Sequence, residues 1–153
     1  GIDHGVWVPL LRLFPEADVP VISLSVDPRR DARWQHRLGE TLAPLRDQGV
    51  LIVGSGSLTH NLRSLDWHAP AGIGTPQARV FADWALDHLA ADRPAALLDW
   101  ESAPLARFNH PTPEHWLPLP IALGAASGAK APQVHAGTFE YGALAQRALL
   151  WSD

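Results

Sequence analysis

Val50-Leu51-Ile52-Val53-Gly54-Ser55-Gly56-Ser57-Leu58-Thr59-His60-Asn61-Leu62-Arg63 is the stretch on which the fold turns. A short apolar run bounded by turn residues reads as a buried strand. The glycine-serine turn and the polar cluster behind it place a site at the strand's carboxyl end, where open α/β sheets bind their ligands. Two familiar glycine-rich motifs fail here. The lysine of a phosphate-binding loop is missing. Neither Ser55 nor Ser57 has glycine two places away on both sides, as a hydrolase nucleophile elbow requires. His60 as an active-site base is favoured over a purely structural histidine.

Working outward, residues 19–26 form a β-rich run with alternation in its second half, closed by Asp27-Pro28. Trp34, Leu38, Leu42 and Leu45 recur at helical spacing, with Pro44 disturbing the end and Gly49 as C-cap. Leu10 to Phe14 predicts a short helix stopped by Pro15. Residues 76–91 predict an amphipathic helix with His88 on its face, and Pro94 opens a helical segment reaching Leu105. Residues 133–151 read as two strands around a Gly142 turn. Strand, helix, strand, helices and strands in that order argue an α/β fold with one sheet.

Composition narrows the function. A 153-residue chain, 46% hydrophobic and 18% charged, is long enough for one domain with a real core. The net charge of −4 offers no basic field to nucleic acid. No apolar run is long enough to span a membrane, and no signal peptide is visible. The absence of cysteine excludes disulfides and thiolate metal sites, and points to the cytoplasm. The chain does not start with methionine, so its N-terminus is expected to be cut, processed or incompletely recorded.

Asn109-His110-Pro111-Thr112-Pro113-Glu114-His115-Trp116 gathers two histidines and a carboxylate between prolines. Thr112 as N-cap with Pro113 at the first helical position predicts a helix running towards Gly124. His4, His60, His110 and His115 fall in turn-like contexts. Without cysteine, a metal site would be built of imidazole and carboxylate, which suit Fe(II) or Zn(II). His110 and His115 are five apart, whereas ligands on one helix face lie three or four apart. One is then a candidate ligand and the other a supporting residue. Spacing alone leaves a metal site and ordinary hydrogen-bonding histidines equally open.

Four ordered motifs resemble class III extradiol ring-cleavage dioxygenases, above all the 4,5-DOPA extradiol group. They are Asp3-His4-Gly5-x-Trp7-x-Pro9-Leu10, Ile52-Val53-Gly54-Ser55-Gly56-Ser57-x-x-His60-Asn61-Leu62-Arg63, His110-Pro111-Thr112-Pro113-Glu114-His115-x-x-Pro118-Leu119 and Phe139-x-Tyr141-Gly142. The resemblance covers nearly the whole chain. It implies a mixed central β-sheet flanked by helices, and Fe(II), with zinc in its place in some members. It implies a catechol-type, DOPA-like substrate and dioxygen. It makes His115 a metal ligand, His60 the acid/base and His4 a contact to substrate or dioxygen. His110, with Asn61 and Arg63, becomes substrate-binding or a support behind the site.

Two further histidine ligands of the family lie upstream of Asp-His-Gly. Residues 1–153 are therefore expected to be one catalytic domain's C-terminal part, lacking its N-terminal metal-ligand segment and inactive alone. A homo-oligomer or that missing segment would cover the exposed sheet. Two other functions compete: a non-catalytic binding protein on the same fold, and a zinc-dependent hydrolase using His60, His110 and His115. The lack of a His-Glu-x-x-His motif weakens the second.

Overall fold

The structure, a computed structural model, describes residues 3–135 and 137–152. Gly1, Ile2, Ala136 and Asp153, which the single-domain reading and the terminal strand run include, lie outside the described residues.

Helix α1 spans His4–Leu13, starting earlier than the apolar pattern predicts because the Asp3 carboxylate accepts the Gly5 N–H at 2.7 Å. Pro9 sits inside it and has no N–H to give the Gly5 carbonyl one turn back. The Ser55 hydroxyl donates to that carbonyl instead, tying α1 to the glycine-serine turn. Helix α2, Ala32–Leu42, is capped by Asp31, whose carboxylate accepts the Trp34 N–H at 2.7 Å. A 3-10 stretch, Ala43–Gln48, follows with Pro44 at its start and stops at Gly49, which is left-handed at φ 78°. Both signals read from the sequence are thus met.

Helix α3, Pro76–Ala90, has Thr75 as N-cap and Pro76 at its first position. The segment opened by Pro94 is broken rather than continuous. It comprises α4, Pro94–Leu98, a 3-10 turn at Trp100–Ser102, and α5, Ala106–Asn109, with Leu105 left-handed at φ 58° before the last. Helix α6 spans Pro118–Ala125. The start predicted at Thr112-Pro113 is therefore corrected. Residues 114–117 form a turn in which the Trp116 and Leu117 N–H groups both donate to the Pro113 carbonyl. Pro118 has no donor to lose, so regular helix begins there.

The core gathers Phe81, Ala82, Ala85 and Leu89 of α3 with Leu58, Leu97, Trp100, Trp116 and Leu117. Helices α2 and α6 cross at backbone contact. A methyl group on Gly39 would overlap the Ile121 carbonyl, so only glycine permits this approach.

Four short strands form two antiparallel ladders: β1 Gln133–His135 with β4 Ala148–Leu150, and β2 Phe139–Glu140 with β3 Leu144–Ala145. The inner pair turns through Tyr141 and Gly142, at φ 50° and 68°, both positive as a type I′ turn requires. The turn matches the sequence reading.

The central mixed sheet does not. Among the described residues, 19–26 and 50–53 belong to no helix, strand or ladder. No backbone hydrogen bond among the described residues begins or ends on 19–26 or 51–56. A strand exists through its neighbour, and neither run has one here. Most of their apolar side chains stay outside, Ile22 being 95% and Leu51 61% exposed, while Val26 packs against the core. The described fold is mixed α/β, helices with small sheets.

Candidate active site

Two segments fifty residues apart are laced antiparallel. The Ser57 N–H donates to the His115 carbonyl at 2.9 Å, and the His60 N–H to the Asn109 carbonyl at 2.9 Å. The Asn61 side-chain amide donates to the Phe108 carbonyl at 2.6 Å. Gly56 makes the approach feasible, because a Cβ there would overlap the His115 carbonyl. On the other side Thr59 is clamped to β3: its hydroxyl donates to the Ala143 carbonyl at 2.7 Å and accepts the Ala145 N–H at 2.8 Å.

This lacing stacks the His60 and His115 rings, with centroids 3.4 Å apart and planes within 9°. Both rings are half-buried. Burial, and then the neighbouring His115, push His60 below its ordinary value. Burial also lowers His115, opposed by Glu114. Two stacked imidazoles resist carrying two charges, so one or both present a neutral nitrogen lone pair near neutrality. Glu114 is held by a hydrogen bond from Thr112, which lowers its carboxyl, and it stays anionic beside the pair.

His4 opens α1 with its side chain exposed, 3.5 Å from the Asp3 carboxylate and within electrostatic reach of His115. The Ser55–Gly5 bond anchors that helix start to the site. The structure thus brings His4, His60 and His115 to one side.

His110 is elsewhere. It is 2% exposed and boxed by Phe81, Trp100 and Trp116, with ring centroids 5.3, 5.6 and 5.6 Å away. Its Nε2 lies 2.9 Å from the Leu58 carbonyl, which can only accept, so Nε2 carries the proton. Nδ1 is left buried without a partner. Burial pulls its pKa down to about 4, so it is neutral. It cannot touch a substrate; it braces the backbone two residues before His60. Asn61 is also spent on bracing, since its Oδ1 accepts the Arg63 N–H. Arg63 points its guanidinium outward with no side-chain partner among the described residues.

The sequence missed Ser57, Thr59 and Asn109 as determinants of the site. Asn109 donates from its side chain to the Gln77 and Leu105 carbonyls, fixing the segment before His110. The signal was their place inside the two motifs that carry His60 and His115. Tyr141 of the fourth motif packs on exposed Trp67, with ring centroids 4.6 Å apart.

A helix-and-small-sheet fold presenting paired histidines at its surface falls into a known class. The chain belongs to the family described as the catalytic LigB subunit of aromatic ring-opening dioxygenase, whose model matches residues 1–147. Among individual proteins, it is 42% identical over 149 residues to the 4,5-DOPA dioxygenase extradiol of Beta vulgaris, covering 93% of this chain and 54% of that one. It is 37% identical over 150 residues to the 4,5-DOPA dioxygenase extradiol of Escherichia coli K12, covering 94% and 54%. The crystal structure of uncharacterized protein JW3007 from Escherichia coli K12 superposes with a TM-score of 0.88 at 33% identity, over 97% of this chain and 62% of that one. The chain spans about half the length of the curated relatives it matches. No helix among the described residues is long and apolar enough to cross a membrane.

Proposed function

We propose that this chain carries the proton-handling part of an extradiol dioxygenase that opens a catechol-type, DOPA-like ring with dioxygen. The observation that carries the reading is the His60–His115 stack, an acid/base held against a candidate ligand by backbone lacing. The names of the relatives support the substrate class.

The donor set fits a metal only in part. An Fe(II) oxygenase site takes three protein ligands on one face. The described residues contain no group of three or more His, Cys, Asp or Glu that could hold an ion. We assign His115 one ligand position for Fe(II), or for zinc in its place. The remaining donors would come from outside the described residues.

His60 then serves as the base that takes a catechol hydroxyl proton and later returns one. Its backbone bond to Asn109 and the His110 strut at Leu58 fix where its ring stands. His4, exposed and within electrostatic reach of His115, then meets substrate or dioxygen. The unpaired Arg63 guanidinium suits a substrate carboxylate.

The test uses this chain co-produced with the part of the Escherichia coli relative that it does not match. Catechol-dependent oxygen uptake should fall about 10²–10⁴-fold on His60→Gln, with catechol affinity little changed. Undiminished turnover by His60→Gln would remove the base role.

A further inference from the structure

We infer that the cavity between residues 72–74, α3 and the β2–β3 hairpin binds a small organic acid or phosphate ester by its oxyanion group, gripped by Arg147 and Arg79. The cavity holds about 300 Å³, and Gly74, Arg79, Asp83, Phe139 and Arg147 are among its lining residues. That volume suits one small molecule. None of these residues belongs to the His4, His60 and His115 group. Phe139 opens the fourth sequence motif, and the histidine site makes no use of it.

Arg147 is held ready for such a group. It is half-buried, and its Nη1 donates to the Thr138 and Gln146 carbonyls at 3.1 and 2.7 Å. Its guanidinium lies over the Phe139 ring, 5.2 Å from the centroid. Gly74 closes on the same ring so tightly that a Cβ there would overlap it. These contacts fix the guanidinium and leave its Nε–H and Nη2–H edge without a partner among the described residues. That edge is the two-donor fork that takes a carboxylate or phosphate bidentately. The chain shows the same fork in use at Arg29, whose Nε and Nη2 reach the two Asp27 carboxylate oxygens at 2.9 and 3.1 Å.

Two further donors line the same cavity. The Arg79 guanidinium has no partner among the described residues. Gly74 is buried, yet its N–H donates to no described residue. Buried backbone donors are nearly always paired, so this one calls for an acceptor. Asp83, one turn beyond Arg79 on α3, is the lone carboxylate among the described lining residues, which leaves one positive charge in excess. In a chain of net charge −4, this pocket runs against the overall field and favours an anion locally. The proposal does not draw on the catalytic reading.

The test is isothermal titration calorimetry of the chain with inorganic phosphate and, separately, with succinate, at an ionic strength held constant with potassium chloride. Saturable one-to-one binding of at least one of them is expected, with a dissociation constant of about 1 mM or tighter. The anion that binds more tightly identifies the kind of group the cavity takes. Arg79→Gln should weaken binding about tenfold or more. Arg147→Lys should do the same, because lysine keeps the charge and loses the fork. Arg93→Gln, at an arginine outside the cavity, should leave the affinity unchanged. Arg79 is exposed and its side chain holds no other part of the fold, so its variant decides the matter even where Arg147→Lys unfolds, with circular dichroism as the check on both. No saturable binding of either anion, binding that Arg79→Gln leaves unchanged, or binding that Arg93→Gln weakens equally would overturn the proposal. The readout is binding rather than turnover, so failure of the dioxygenase reading would leave this site standing.

Discussion

His60 and His115 stand face to face because of what their neighbours do, and the neighbours are therefore as testable as the pair. His110 is the clearest case. Its ring is neutral, buried and bonded to the Leu58 carbonyl, with a folded-state pKa of about 4 against an ordinary 6.5. Between those values the unfolded chain binds a proton that the folded chain refuses, so stability rises with pH across that window. It is complete above about pH 6.5 and lost progressively as pH falls to 4, by about 3 kcal/mol in all. Urea unfolding of the wild type and of His110→Asn at a series of pH values checks this. The stability difference between them should shrink on acidification; parallel curves would deny His110 its neutral buried state. Ser55 makes a second prediction. Ser55→Ala leaves the exposed Gly5 carbonyl opposite Pro9 to water and should cost about 0.5–1 kcal/mol, with faster amide exchange in α1 as its local signature.

Among the elements, what was legible in the sequence was local. The helix start at Pro76, Pro44 with Gly49, and the Gly142 turn each write their consequence within a few residues, and each is met. The α6 start was misplaced because Thr112-Pro113 carries a cap-and-proline signature, whereas the true first-turn Pro118 follows Leu117, which offers no side-chain cap; the turn at 114–117 lies between them. The apolar runs at 19–26 and 50–53 carried the right period for strands, but a strand also needs a partner, which no run encodes in itself. The site was half legible. His60 could be singled out by context and His115 only by the family resemblance, whereas their stacking depends on a register between segments about fifty residues apart, set by Ser57, Asn109 and the bare Cα of Gly56. The α2–α6 crossing gives a prediction at this scale. Gly39→Ala forces a methyl into the Ile121 carbonyl and should destabilise by about 1–3 kcal/mol, read as a lower melting temperature. An unchanged Tm would mean the helices are free to separate.

For the whole molecule, site and surface belong to one account. The buried aromatic core around Phe81, Trp100 and Trp116 holds the histidines from behind, while the face in front of them exposes apolar residues and unpaired backbone. A single imidazole of His115 gives an ion too few donors, and the described residues supply no cluster to make up the number. The chain by itself should therefore bind Fe(II) weakly and consume no oxygen with a catechol. The most direct test is oxygen uptake on DOPA with added Fe(II), run on this chain alone, on its complex with the remaining part of the Escherichia coli relative, and on that complex carrying His115→Ala. The account predicts uptake and ring-opened product from the complex only, abolished by His115→Ala. Uptake by the chain alone at the rate of the complex, or uptake that survives His115→Ala, would contradict it.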